Sequence, residues 1–490
     1  MNKNPAFNFK LEWVFFLLSF VLILLISFLI GFAPITGDQI WGATATLGSP
    51  LDSIIFTLRF DLHPPLYYLL LDLWATISQT DFWLRASSMF LHSLIVLSTY
   101  TIAKKKFSVS TAIYASLFVF ALPLLLSYST QLRMYSLIAL ISLWQYHHVD
   151  NYSNGNDNRV WPILGLGILL ANTHAIGILF VFFHFIYGAC RLTASNNKKL
   201  IRWCAGHFVV VAFALPAVAN SLFKSAGHAV APSFNDVLQT ANRLFLDLPD
   251  QLIYISVFIF LALVVSLSIS KKTRLLVLCY LLLPLVMFAA ISFLIKPLWL
   301  TRNFAFALPI LAITLSIKLS EMNLPSKLKL AIPILFIIVN LSLWIENSAQ
   351  TNSQNNFAKV THYFRQETSQ ATGKICIVSV NQLNTFWSLL RYLDKPDWGH
   401  SLKIQPPTNE RWQSTINKIP KDFARLLKLI DSRNYFENEQ IVISSGPSDR
   451  CDKDDIDAVY LIAENQNIEE FRSEFSLQDR MGVYRIFKKN

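Results

Sequence analysis

Eight polar side chains stand in stretches of sequence that are otherwise apolar: Asp38, His63, Arg85, Gln131, Arg133, His174, Lys296 and Arg302. A carboxylate can take a proton from a hydroxyl, and arginine presents paired planar donors that match the oxygens of a phosphate or carboxylate. Ionisable groups beside a membrane-embedded site are costly and tend to mark a substrate pathway. Taken singly, each residue has an ordinary explanation. Asp38 follows an apolar run, where a helix N-cap is common. His63 precedes Pro64-Pro65, which suits the start of a helix. Arg302 and Lys296 flank an apolar run as snorkelling cations do, Arg133 could belong to a structural ion pair, and His174 to a turn or helix contact. Tyr67, Tyr68, Tyr128 and Tyr135 fit an aromatic belt as well as a groove.

What gives the set weight is topology. The chain has 490 residues, 53% hydrophobic and 15% charged, with a mean hydropathy of +0.42, outside the range of soluble domains. The run Trp13 to Phe32 is uncharged and long enough to cross about 30 Å of hydrocarbon; with no small-residue cleavage site after it, it reads as a retained anchor. Eleven spans are expected, beginning near Trp13, Ser87, Val109, Met134, Val160, Ala175, Trp203, Gln251, Leu275, Phe304 and Leu330. The stretch Val160 to Cys190 is divided at Asn172, Thr173 and His174. Pro64 to Ile77 is short and carries Asp72, so it is expected as an interfacial helix after a large first outer loop. Loops assigned inside then hold sixteen Lys and Arg, against seven outside, as the positive-inside rule asks. All eight polar residues fall on the outer side. The net charge of +11 is spent on short loops, a pattern of membrane topology and not of nucleic-acid binding.

Two domains are expected, 1–346 in the membrane and 347–490 outside the cytoplasm. In the second, Lys374 to Val380, Gln440 to Ser444 and Ala458 to Ile462 read as buried strands and Thr385 to Leu393 and Asn467 to Phe475 as helices, giving a soluble α/β domain. The five cysteines show no metal-ligand spacing. An oxidising location would allow Cys376 and Cys451 to pair, which the sequence leaves open.

Gly37-Asp38-Gln39, His63-Pro64-Pro65-Leu66-Tyr67-Tyr68, Arg85, Ser129 to Tyr135 with its Arg133-Met134-Tyr135, Thr173-His174 and Lys296 to Pro309 form an ordered series. In this order the chain resembles the bacterial relatives of the protein O-mannosyltransferases and the aminoarabinose lipid A transferases, family 39-like enzymes of the C-type glycosyltransferase fold. The resemblance covers most of the first 320 residues; the tail resembles nothing we can name. It implies a multi-pass inner-membrane enzyme, N-terminus cytoplasmic, that moves a sugar from a polyprenyl-phosphate donor to an extracytoplasmic lipid, glycan or protein. It also implies that Asp38 acts as general base on the acceptor hydroxyl. Displacement from a good phosphate leaving group needs a stronger nucleophile, so one carboxylate suffices where glycosidases use two, and inversion is expected. Arg302 and Lys296, then Arg133 and Arg85, would hold the lipid phosphate, and His63 would contact the acceptor or brace the first loop.

The chain departs from the family pattern twice. An Asp-Glu pair is common where Asp38-Gln39 stands, and a glutamate often stands just ahead of the Arg-Met-Tyr triplet, where this chain has Gln131. Both changes remove a carboxylate, so a divalent metal is less expected than in relatives and no cofactor is assigned. Two other classes stay open: a flippase for lipid-linked saccharide, against which no duplicated inverted halves are visible, and a glycosyltransferase-like scaffold without activity.

Overall fold

The computed structural model describes residues 5–30, 34–35, 37–46, 50–51, 53–54, 57, 61–192, 197–223, 231–354, 357–370, 374–379, 388, 435–437, 441–444, 456–464, 475–481 and 484–489. The chain divides into two compact units, the first comprising 1–29, 56–74 and 82–346, the second 30–55, 75–81 and 347–490.

The first unit is helical. Its elements are α1 (Pro5–Ile30), α3 (Leu66–Ala75), α4 (Asp81–Lys106), α5 (Val109–Ala121), α6 (Pro123–Tyr128), α7 (Tyr135–Ser153), α8 (Trp161–Ala171), α9 (Gly177–Leu192), α10 (Asn197–Phe223), α11 (Phe234–Phe245), α12 (Ile253–Ile269), α13 (Arg274–Val277), α14 (Leu283–Leu294), α15 (Leu308–Glu321) and α16 (Ser326–Gln354). α2 (Gln39–Ala45) belongs to the second unit.

A helix meets every expected span, but the number eleven is finer than the structure supports. Among the described residues seven helices are long and apolar enough to cross a membrane: those in 12–29, 81–106, 198–216, 250–269, 274–294, 301–321 and 326–351. α5, α8 and α9 are apolar but shorter, and α7 carries Gln145, His147, His148 and Asp150. The chain is nonetheless a multi-pass membrane protein. Leu29, Phe208, Phe258 and Leu294 are 86%, 75%, 73% and 81% exposed, a surface that hydrocarbon covers at no cost and water does not.

Inside the bundle, buried hydroxyls return to the backbone one turn earlier, as Ser116 does to Ala112 (2.9 Å) and Thr314 to Ile310 (2.7 Å); this satisfies each polar group within its own helix. A π-turn at Leu278–Leu282 joins α13 to α14. Pro284 cannot donate to the carbonyl of Tyr280 and would crowd it, and the widened turn relieves that clash. The turn also aims the Tyr280 hydroxyl at His184 Nδ1 (2.8 Å), whose Nε2 meets Ser142 (2.9 Å).

A 3-10 helix, Thr301–Ala307, leads into α15. Phe306 stacks between Phe180 (4.7 Å) and Phe183 (5.4 Å), and Phe304 packs edge-on to Phe288 (5.2 Å). These rings hold the tight segment on α9 and α14 and fix the direction of Arg302, one residue into it.

The second unit contains α17 (Phe357–Gln370) and a six-stranded sheet. Its strands are β1 (Lys374–Ser379), β2 (Tyr435–Glu437), β3 (Ile441–Ser444), β4 (Ile456–Glu464), β5 (Phe475–Met481) and β6 (Tyr484–Lys489), in the order β2-β3-β1-β4-β6-β5. β3, β1 and β4 are parallel; β2 and the β6-β5 hairpin add antiparallel edges. Tyr460 of β4 packs on Phe364 of α17 and donates to Glu367. Cys376 is disulfide-bonded; Cys451 lies outside the described residues, as does nearly all of the two helices expected at 385–393 and 467–475. Phe475, placed at the end of the latter, instead opens β5.

One close approach can be tested. A Cβ on Gly177 would stand 2.3 Å from the Leu170 carbonyl oxygen, whereas one on Gly165 would meet nothing within 4 Å. Gly177→Ala is expected to cost about 1–3 kcal/mol by overpacking against immovable backbone. Gly165→Ala, in mid-helix, should be neutral or gain about 0.5–1 kcal/mol. Melting of the two purified variants in detergent should therefore shift in opposite directions or differ by several degrees.

Candidate active site

The first unit brings together residues from four distant segments: 61–68, 128–135, 173–176 and 302. Asp61 organises the first of them. Its Oδ1 accepts the His63 N–H at 3.0 Å, an Asx turn, and its Oδ2 accepts the Tyr68 hydroxyl. Pro64 and Pro65 then begin α3, whose first N–H, from Leu66, donates to the carbonyl of Asn172 (3.3 Å). That bond ties the 61–68 segment to the turn between α8 and α9.

The turn carries His174. The His63 and His174 rings lie with centroids 4.4 Å apart, and their protonation follows from their partners. The Ala175 N–H donates to His63 Nδ1 and the Ile176 N–H to His174 Nδ1, both at 3.3 Å. A backbone N–H can only donate, so each Nδ1 is unprotonated and each neutral ring carries its hydrogen on Nε2. His174 Nε2 is buried with no hydrogen-bond partner among the described residues. His63 Nε2 stands 3.4 Å from an Arg133 Nη2, so two donors face each other there. An acceptor lying beside the pair would be within reach of both.

Arg133 projects from the link between α6 and α7, whose Gln131 carbonyl accepts Ser88 Oγ (2.6 Å). Only 5% of Arg133 is exposed. Arg302 is half-buried, with its guanidinium carbon 6.0 Å from the Tyr135 ring centroid and its charge felt by Tyr128, His63 and His174. Tyr128 and Tyr135 pack together at 4.4 Å. The cluster therefore holds two guanidinium groups, one carboxylate and two neutral imidazole donors, a net positive and partly dry arrangement of the kind that complements an anion. Burial, and then the charges of Arg133 and Arg302, push the pKa of His63 well below its usual 6.5. Burial, then His63 and the two arginines, do the same to His174.

The other expected site residues stand on other elements. Arg85 is buried in the first turns of α4 (4% exposed), and Asp72 is buried in α3. Lys296 is half-buried just past α14, its N–H bonded to the Ile291 carbonyl (3.0 Å). Asp38 belongs to the second unit, where it is exposed at the N-terminus of α2 and makes no side-chain cap. Gly37 before it has φ +57°, a left-handed turn that favours glycine. Asp61 is not among the residues that the sequence singles out, where His174 reads as a turn or helix contact. Asp61 was visible as Asp-x-His, the spacing of an Asx turn. Among the described residues no group of three or more His, Cys, Asp or Glu could hold a metal ion.

No protein-family model matches the chain, and no curated protein matches it. Among solved structures, ArnT from Cupriavidus metallidurans in the apo state superposes with a TM-score of 0.60 at 10% identity, covering 98% of each chain. The same protein bound to undecaprenyl phosphate gives 0.57 at 10% identity, over 97% of this chain and 98% of that one. The archaeal oligosaccharyltransferase AglB from Archaeoglobus fulgidus matches at a TM-score of 0.42 and 11% identity, over 98% of this chain and 74% of that one, too distant to carry argument. The ArnT likeness over nearly the whole of both chains shows the C-type glycosyltransferase fold that the motifs resemble.

Because His63 and His174 take up protons less readily folded than unfolded, their stabilising contribution is complete above about pH 6.5 and is lost as pH falls below it toward the depressed folded values. Lowering the pH from 7 to 5.5 should therefore lower the melting temperature. In a His63→Gln, His174→Gln double variant the decline should be shallower, and equal slopes would remove the assignment of neutral rings.

Proposed function

We propose that this chain is an inner-membrane glycosyltransferase that moves a sugar from a polyprenyl-phosphate donor to an acceptor outside the cytoplasm. The observation that supports the reading is the gathering of Arg133, Arg302 and the Nε2 hydrogens of His63 and His174 in one cluster, a set that complements an anionic group. A lipid-linked phosphate supplies one, and an ArnT structure of the same fold is bound to undecaprenyl phosphate.

In this reaction an acceptor hydroxyl oxygen attacks the anomeric carbon while the bond from that carbon to the phosphate oxygen breaks. Negative charge grows on the departing phosphate. Arg133 and Arg302 stabilise it, the more strongly because the site is shielded from water, and the His63 and His174 Nε2–H groups complete its hydrogen bonds. Asp38 takes the acceptor proton, and a single in-line displacement inverts the anomeric centre. Asp61 acts through others, fixing His63 and Tyr68. Lys296 and Arg85 provide further positive charge for the carrier. Residues 347–490 form an extracytoplasmic domain that helps select the acceptor.

Membranes supplied with polyprenyl-phosphate sugars and scored for transfer test each role. Arg302→Ala is expected to lower turnover about 10²–10³-fold. Asp38→Asn should lower it about 10²–10⁴-fold while leaving binding of undecaprenyl phosphate intact. Full transfer by Asp38→Asn would overturn the base assignment, and unchanged carrier binding by an Arg133→Ala, Arg302→Ala variant would overturn the anion site.

A further inference from the structure

A cavity of about 480 Å³ opens between α5, α11, α12, α15 and α16, within the size range of small-molecule sites. Its walls are apolar, with Phe118, Leu263, Leu315, Leu335 and Phe336 among them; Lys318 and Ser266 are the polar side chains on its lining. Along α12 the lining runs from Ile259 to Leu267, about 12 Å at the helical rise, so the cavity is a groove parallel to the helices. Leu335 is 61% exposed and Ile332 37%, so it opens sideways between α12 and α16, onto the surface that faces lipid.

Lys318 sits at one end. It is sixteen residues beyond Arg302, about 24 Å along the 3-10 segment and α15, at the opposite end of the bundle from the His63–Arg133–Arg302 cluster. The nearby carboxylate of Glu321 is taken by Lys272 (2.8 Å), and Lys329 donates to the Ser320 carbonyl (2.8 Å). Among the described residues the Lys318 ammonium has neither ion pair nor hydrogen bond. Lys271 and Arg274 add further positive charge on the neighbouring turn.

We propose that this groove binds an anionic glycerophospholipid of the leaflet opposite the reaction, one acyl chain along the groove and the phosphate on Lys318. A half-buried cation without a counter-ion at the mouth of an apolar slot open to the bilayer complements a molecule with a negative head and a hydrocarbon tail. A carrier held by its phosphate at Arg133 and Arg302 has its head at the wrong end to satisfy Lys318. The site does not depend on the transfer reaction, and its test reads lipid, not product.

Purified protein in detergent is titrated with phosphatidylglycerol and with phosphatidylcholine of identical chains, and bound lipid is counted by native mass spectrometry. The wild type should retain phosphatidylglycerol about five-fold better. Lys318→Glu should abolish the preference, Lys318→Arg should keep it, and Leu335→Trp, which fills the slot, should reduce retention of both lipids. Melting of each variant verifies that it is folded. Equal retention of the two lipids by the wild type, or an undiminished preference in Lys318→Glu, overturns the proposal. So does displacement of phosphatidylglycerol by undecaprenyl phosphate, which would make the groove part of the carrier's path.

Discussion

A guanidinium group almost wholly withdrawn from water, in a bundle whose outer surface is hydrocarbon-facing, is the constraint around which the first unit is arranged. Arginine does not shed its proton, so Arg133 must be compensated where it stands or the fold loses several kcal/mol. Asp61 stands behind His63, and the His63 nitrogen that faces Arg133 is itself a donor. The elements around it are tied by single, identifiable bonds, Leu66 to Asn172, Ser88 to Gln131 and Ala175 to His63. Each fixes a link between helices and not a helix itself. A bundle relaxed by one such bond would keep its helices and lose its site.

How much of this is legible in sequence depends on the range of the interaction. His63, Arg133 and Arg302 were legible because each interrupts apolar sequence, and the cost of burying charge makes interruption informative. Asp61 was hidden beside Arg59 in a mixed stretch, where a carboxylate near a membrane surface needs no explanation; its meaning comes from Tyr68 and from what His63 touches. His174 looked like packing because nothing local shows that its ring meets one from 111 positions earlier. In the sheet, the short apolar runs that became β1, β3 and β4 were readable, since central parallel strands tend to read as near-continuous apolar runs. β5 and β6 carry Asp479, Arg480, Arg485 and Lys488, and the charges of an edge hairpin conceal it from hydropathy.

The two departures from the pattern of the enzymes that the motifs resemble have different settings. Gln39 opens α2, where a neutral amide leaves Asp38 as the carboxylate of that turn. Gln131 contributes its carbonyl to Ser88, a contact that any residue type could make, so the backbone there is held independently of the lost carboxylate.

The widened turn at Leu278–Leu282 sets the angular phase of the segment 274–294. A turn that accommodates one residue more than an α-helix rotates everything beyond it by about 100°. Tyr280 and Phe288, about 80° apart at regular helical spacing, are thereby brought closer to one line facing the interior. Winding the same residues as an unbroken α-helix would swing Phe288 by about 100° away from Phe304, loosening the clamp on the 3-10 segment that carries Arg302. The irregularity is in this sense a phase adjuster, matching the angular setting of one crossing to a guanidinium on the next.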